Sequence, residues 1–439
     1  MEHVDIIIRN GTVVTMDGER SVFCPGAVAV RGDLIVEVGE EQSVCSVFRG
    51  EKEIDARGGI VMPGLINTHT HAAMTCFRGL ADDLPLMTWL NDHIFPAENK
   101  LSPEIVYQGT LLACAEMILS GTTTFCDMYL FEDSVAEAAK YAGMRALVGE
   151  VLYDFPSPNY GPIEKGFEYT EMLLDKWKDD PLVSIAVEPH SPYLCSPDVL
   201  QRTKELSDRY SAPLVIHLAE TEHEVRQMRE KYGFTPVGHL ANLDILCPRM
   251  IADHCVALTD EDITLMKRFD VKVAHNPESN MKLASGIAPL PELIKSGITV
   301  GLGTDGCASN NNLDLFQEMD SAAKLHKVST LDPTVMDART VVEMATINGA
   351  KVLGMDRLVG SLETRKKADI IVIDIRKPHL TPMYNVYSHL VYAVTGNDVT
   401  TVIIDGRVVM EDCILKTLDL EATMNTVNRI ADEKLRCFS

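Results

Sequence analysis

Eight apolar runs, separated by turns or helical patterns, constrain this chain more than any other feature. They are IVMPGLINT (60–68), GTTTFCDMY (121–129), RALVGEVLY (145–153), LVSIAVEPH (182–190), PLVIHLAE (213–220), MIADHCVAL (250–258), VKVAHNP (271–277) and ITVGLGTDG (298–306). Near-continuous apolar runs of this length read as strands buried on both faces, as in a parallel sheet. Helical patterns such as PEIVYQGTLLACAEMILSG, SVAEAAKYAG and SPDVLQRTKELSDRYS lie between most of them. Eight strand–helix units predict an α/β fold of the (β/α)8, TIM-barrel type. A doubly wound sheet is the alternative. It needs fewer strands and usually a glycine-rich phosphate loop after the first, and that loop is absent.

The chain ends read differently. VDIIIRNGTVVTM, GAVAVRGDLIVEVG and EKEIDARGGIVM, then ADIIVIDI and VTTVIIDGRVVM, are short strands marked by alternation and by N-G or G-D turns. Residues 1–60 and 360–412 are therefore expected to build one composite β-sandwich, with the barrel over 61–359 and a helical tail over 413–439. With 439 residues and 46% hydrophobic residues, a large core is available. A formal charge of −24 opposes binding to a polyanion, so nucleic acid is not an expected partner. No apolar run approaches the length of a membrane span, and the start, MEHVDIIIRNG, is not a secretory signal. Eleven scattered cysteines without a C-x-x-C read as thiols in a reducing compartment, which points to the cytoplasm.

Polar residues gather at the strand ends. His69 and His71 close the first strand, His190 the fourth, His217 the fifth, His254 the sixth and Asp305 the eighth. In a (β/α)8 barrel these C-terminal ends carry the chemistry. Residues i and i+2 of a strand share a face, so H-x-H forms a two-toothed metal grip. His217 and Asp305 complete a three-nitrogen, one-oxygen set with a position left for water. That set suits catalytic zinc, with iron or manganese as alternatives. A lone strand histidine is most often a hydrogen-bonded core residue, but several such groups on one rim are not explained that way. The fourth strand has no lysine to bridge two metals, so a single ion is expected. Glu220, three residues past His217, is a candidate proton shuttle, although it also sits where an acid would favour the start of a helix. His254 is a candidate for orienting an attacking hydroxide, and Asp305 for taking its proton.

These segments resemble the amidohydrolase superfamily, through PGLINTHTH. More narrowly they resemble the 5′-methylthioadenosine/S-adenosylhomocysteine deaminase family, which includes 5′-deoxyadenosine deaminases. The narrower resemblance rests on GLADDLPLMTWLNDHIFPAE, EPHSPYLCS, IHLAETEHE, AHNPESNMKLASG and GLGTDGCASNNNLDLFQEM. It implies one divalent metal on His69, His71, His217 and Asp305, with Glu220 and His254 catalytic. It also implies that Trp89 lines a nucleoside pocket, Glu98 binds the ribose hydroxyls and His190 contacts base or ribose. The implied reaction is hydrolytic deamination at C6 of adenine in a 5′-modified adenosine, giving a hypoxanthine nucleoside and ammonia. A homodimer or homotetramer is the implied assembly.

Arginine is usual in the third-strand region of family members that take S-adenosylhomocysteine. Here Glu150 falls near that position, and Lys165 is the nearest cation. If Glu150 contacts substrate, it repels an amino-acid carboxylate, and a neutral 5′ group is preferred. Glu278, in NPESN, is a second departure with no role assigned by the sequence. Competing readings are another amidohydrolase activity, such as guanine deamination or triazine hydrolysis, and a barrel that has lost its chemistry. Trp89, Glu98 and His190 argue against the former, and retention of every ligand argues against the latter.

Overall fold

A computed structural model describes residues 1–84 and 88–435. Its strands, in chain order, begin with β1 (Glu2–Val14), β2 (Val22–Arg31), β3 (Leu34–Glu40), β4 (Phe48–Asp55) and β5 (Ile60–Pro63). The central ones are β6 (Leu65–Thr70), β7 (Thr122–Tyr129), β8 (Arg145–Leu152), β9 (Val183–Ile185), β10 (Glu188–Pro189), β11 (Leu214–Leu218), β12 (Met250–His254), β13 (Lys272–His275) and β14 (Val300–Leu302). The last are β15 (Ile370–Ile373), β16 (Val399–Ile404), β17 (Arg407–Glu411) and β18 (Ile414–Leu415).

The central strands form the expected parallel barrel. One arc runs β6–β7–β8–β10, with β9 also on β8, and the other runs β11–β12–β13–β14. Val187 bridges to Leu214 to join the arcs on one side. On the other side the amides of Thr304 and Asp305 both donate to the carbonyl of His69, at 3.1 and 3.0 Å. The expected fourth strand is thus two short pieces, β9 and β10, interrupted at 186–187. Helices follow the strands where the patterns place them, at Pro103–Leu119, Glu132–Ala142 and Pro197–Tyr210. Ser102 and Ser196 cap two of them by accepting from Ile105 and Val199.

The run 60–68 also divides, which the sequence reading did not anticipate. Pro63-Gly64 is the break. β5 joins the terminal sheet, parallel to β1 and antiparallel to β15, while β6 enters the barrel. No side chain fits at Gly64, because a Cβ there would lie 2.1 Å from Thr123. The terminal sheet has nine strands drawn from both chain ends, ordered β18-β17-β16-β15-β5-β1-β2-β3, with β4 on β1. It encloses its own apolar core, including Ile8, Val28, Ile35, Ile370 and Ile403. The helix Leu420–Ile430 of the C-terminal tail packs on Pro103–Leu119, while residues 436–439 lie outside the described chain. Among the described residues no helix is long and apolar enough to cross a membrane.

One buried ion pair ties sheet to barrel. Arg145, at the start of β8, donates to both oxygens of Asp369 at 2.9 and 3.1 Å, and each side chain is almost fully buried. Replacing Arg145 by Leu leaves Asp369 buried without its cation. A loss of about 3–5 kcal/mol is expected, read as a lower urea midpoint than that of the unmodified protein.

Candidate active site and metal centre

The site is built at the C-terminal ends of the barrel strands. Three imidazoles cluster there, with ring centroids of His69, His71 and His217 4.9–5.4 Å apart, and each Nδ1 faces an acceptor. His71 Nδ1 is held by the carbonyl of Met128, and His217 Nδ1 by the carbonyl of His190 at 2.9 Å. His69 Nδ1 faces Asp253 Oδ2 at 3.1 Å. An engaged Nδ1 fixes the tautomer that leaves Nε2 free as a ligand. Asp305 Oδ1 lies 3.1 Å from His71 Nε2 and 3.5 Å from His69 Nε2. Ligand atoms of His69, His71 and Asp305 lie within 4.8 Å of one another, and so do those of His69, His217 and His254.

This donor set fits a divalent cation such as zinc. Burial pushes the His217 imidazole far below its usual range, with His190, His69 and His71 adding to the effect, so the ring is neutral as a ligand must be. Burial would lower His69 too, but the carboxylates of Asp253 and Asp305 prevail and lift it to about 10. The local field therefore favours positive charge where a cation would sit. Burial opposes ionisation of Asp305, yet hydrogen bonds with His69 and His71 hold it well below the usual carboxylate range.

The Asp305 loop is tightly fixed. Asp305 Oδ2 accepts from Ser279 Oγ at 2.6 Å and from Ser309 Oγ at 2.9 Å, while Oδ1 accepts from the Gly306 amide at 2.8 Å. A Cβ at Gly303 would stand 2.9 Å from His69 Cβ, so the G-L-G-T-D-G run is needed for close approach of the two strands. Glu278 now has a role in this wiring. Its carboxylate accepts from Asn312 at 3.0 Å and Ser321 at 2.8 Å, joining the segments after β13 and β14. Ala219, His254 and Asp305 all have left-handed backbones, with φ of 53°, 70° and 60°. Such strain at non-glycine residues gathers where side chains must be aimed.

Glu220 and His254 face the same space, with His254 Nε2 4.0 Å from Glu220 Oε2. Buried Glu224 accepts the amides of Ala219 and Glu220 at 3.1 and 2.8 Å and so holds the turn that presents Glu220. Asn280 Oδ1 meets His254 Nδ1 at 2.9 Å. His190 is neutral, since burial and the neighbouring histidines His71, His69 and His254 push it down to about 3. A cleft opens outward from these groups. Its walls include Trp89, Leu90, Phe95, Glu98, Tyr129 and Tyr153, and its floor includes His71, His217, Glu220, His254 and Asp305. Burial raises Glu98 to about 7, against the hydrogen bond from Tyr129.

One expectation is corrected. Glu150 does not reach the cleft. It sits on the other face of β8 from Val151 and Tyr153, and it accepts from the Glu132 amide at 3.0 Å and Asn159 at 2.9 Å. Burial raises it to about 8. Lys165 is also away from the cleft, paired with Glu168 at 2.5 Å on an exposed helix. Sequence reasoning missed Asp253, Glu224, Tyr129, Ser279 and Asn280. The nearest signal was their position beside residues already singled out, such as Asp253 before His254.

A model of the amidohydrolase family matches residues 60–409. The chain belongs to the amidohydrolase family. This amidohydrolase is 58% identical over 427 residues to the 5-methylthioadenosine/S-adenosylhomocysteine deaminase of Syntrophobacter fumaroxidans, covering 97% of this chain and 98% of the relative. It is 47% identical over 431 residues to the 5′-deoxyadenosine deaminase of Methanosarcina acetivorans, covering 98% of each. Among solved structures it is similar to an adenosine deaminase from Xanthomonas campestris with bound zinc, at 38% identity and a TM-score of 0.97, over 99% of both chains. The purified amidohydrolase is expected to carry about one equivalent of divalent metal per chain, because the two donor clusters among the described residues share His69. Elemental analysis checks this, and His71→Ala and His217→Ala are each expected to remove most of it.

Proposed function

We propose that this amidohydrolase hydrolyses the C6 amino group of 5′-modified adenosines, releasing ammonia and a hypoxanthine nucleoside. The observation that carries this reading is one floor shared by two kinds of group. The proton-handling pair Glu220 and His254 meets the donors His71, His217 and Asp305 at the closed end of an aromatic cleft, with buried His69 behind them. The names of its relatives support the same class of substrate.

His69, His71, His217 and Asp305 would hold a divalent ion, zinc by donor chemistry, and such an ion when bound would supply a water whose pKa is lowered toward neutrality. Asp305 and His254 are placed to accept the proton of the attacking water. Glu220 enters protonated and gives its proton to N1 of the adenine ring, which makes C6 electrophilic; the proton taken up by Asp305 and His254 passes to the amine, which leaves as ammonia, and the C6 hydroxyl proton returns to Glu220 as the carbonyl forms. Trp89 packs along the nucleoside, Glu98 takes the ribose hydroxyls, and neutral His190 serves as a hydrogen-bonding partner to base or ribose.

A neutral 5′ group is preferred, for a reason other than Glu150. The cleft's described lining has no Lys or Arg to receive an amino-acid carboxylate. Beside the lining residue Tyr153 stands Phe155, stacked on it with ring centroids 3.9 Å apart, and this apolar shelf suits a methyl or methylthio group. Burying an unpaired carboxylate there is unfavourable.

Two results are expected. Glu220→Gln lowers kcat by about 10²–10⁴-fold while the metal content stays at the unmodified level. Full turnover in that variant contradicts the role given to Glu220. In parallel assays of ammonia release, kcat/KM is higher for 5′-deoxyadenosine and 5′-methylthioadenosine than for S-adenosylhomocysteine. Ammonia from guanine alone removes the nucleoside reading, and a higher value for S-adenosylhomocysteine removes the preference for neutral groups.

A further inference from the structure

Two of the three imidazoles aimed at the common point are oriented by main-chain carbonyls, those of Met128 and His190. His69 differs, because a side chain, Asp253, stands against its Nδ1 at 3.1 Å. Both side chains are completely buried. Among the described residues neither oxygen of Asp253 and neither ring nitrogen of His69 has another hydrogen-bond partner, so the 3.1 Å ion-pair contact is what links these two buried side chains. A carboxylate buried with no partner is strongly unfavourable, so the pairing accounts for its presence.

The placement is specific. Asp253 pairs in register with His217 across β11 and β12, so it lies one strand from a second member of the donor set. It comes immediately before His254, whose left-handed backbone, φ 70°, turns the chain out of the strand. The opposite faces of a regular strand are thus abandoned at this point. Both neighbours approach the His69 ring, Asp253 at Nδ1 and His254 with ring centroids 5.5 Å apart. Another buried acid, Glu188, also has unpartnered oxygens but packs over Gly149, where a Cβ would come within 2.4 Å of its Cδ. Among the described residues it makes no ion pair with a histidine, and the charged neighbour acting on it most strongly is Asp253 itself.

We infer that Asp253 is a positioning residue for the metal centre, accepting the Nδ1–H of His69 and so directing its Nε2 lone pair at the cation. Its negative charge also makes that imidazole a stronger donor. Partners of this kind typically change metal affinity 10–100-fold. The inference rests on the metal site proposed above and not on the identity of the substrate.

The test is zinc affinity, measured by competition with a chromophoric chelator on full-length protein. Asp253→Asn is nearly isosteric and removes the charge. Its Kd for zinc is expected to rise about 10–100-fold, and the visible spectrum of the cobalt(II) form to change in intensity or position. Asp253→Ser, measured the same way, replaces it if the first variant is insoluble. Glu150→Gln, an equally buried change at a carboxylate held by the Glu132 amide and Asn159, is expected to keep the zinc affinity. An unchanged Kd and cobalt spectrum in the Asp253 variants overturn the inference, as does an equal weakening by Glu150→Gln. Failure of the unmodified protein to bind zinc or cobalt overturns the metal site itself.

Discussion

The carbonyl of His69 is the hinge of the whole arrangement. It accepts the amides of both Thr304 and Asp305, at 3.1 and 3.0 Å, where the first barrel strand meets the eighth. Around it, Asn67 exchanges two hydrogen bonds with Thr304, and Thr70 Oγ1 donates to the Asp305 carbonyl at 2.9 Å. Barrel closure and assembly of the donor set are therefore the same event. A chain that fails to close brings no carboxylate to the H-x-H pair. The glycines on either side of Asp305 serve the same closure, because side chains at Gly303 or Gly306 would strike His69 or His71 and Met74.

Charge within the barrel is rationed by burial. Glu132 and Glu188 are fully buried and pushed well above the carboxylate range, first by burial and then by neighbouring acids. His217 and His275 are pushed well below theirs for the same first reason. Such groups are held neutral because an unpaired charge in this interior has no compensating solvent. Asp305 escapes the rule because it faces His69 and His71 and takes two serine hydroxyls. Within the cleft, positive and negative character are thereby gathered at the floor, below walls that are mostly apolar.

How much was legible depended on whether a simple period applied. The strand period of two, with the strand-end rule for barrels, pointed to His69, His71, His217 and Asp305; ligand atoms of His69, His71 and Asp305 cluster, and those of His217 cluster with His69 and His254. The same period explains the error at Glu150. Val151 and Tyr153 line the cleft, so Glu150 belongs to the opposite face, and a one-residue change of register reverses that assignment. Asp253 was hidden for the reverse reason. Regular alternation puts it and His254 on opposite faces, but the left-handed turn at His254 breaks the alternation. Trp89 and Glu98 carry no periodic signal, and their place in the cleft follows from the resemblance together with the folded helical segment 89–98.

The sequence by itself determined the kind of object this is. Eight buried-strand runs separated by helices specify a barrel, and histidines at the strand ends specify a metal-type rim, because both follow from local hydrophobic period and residue chemistry. Tertiary structure alone decided where Pro63-Gly64 hands the chain from the terminal sheet to the barrel, which acids meet histidines and which are left neutral, and that the described lining of the cleft holds no Lys or Arg. Those outcomes rest on contacts between residues far apart in the chain, such as Arg145 with Asp369 and His69 with Asp253 and Asp305. No local period encodes such distances; they exist once the first and eighth strands are joined.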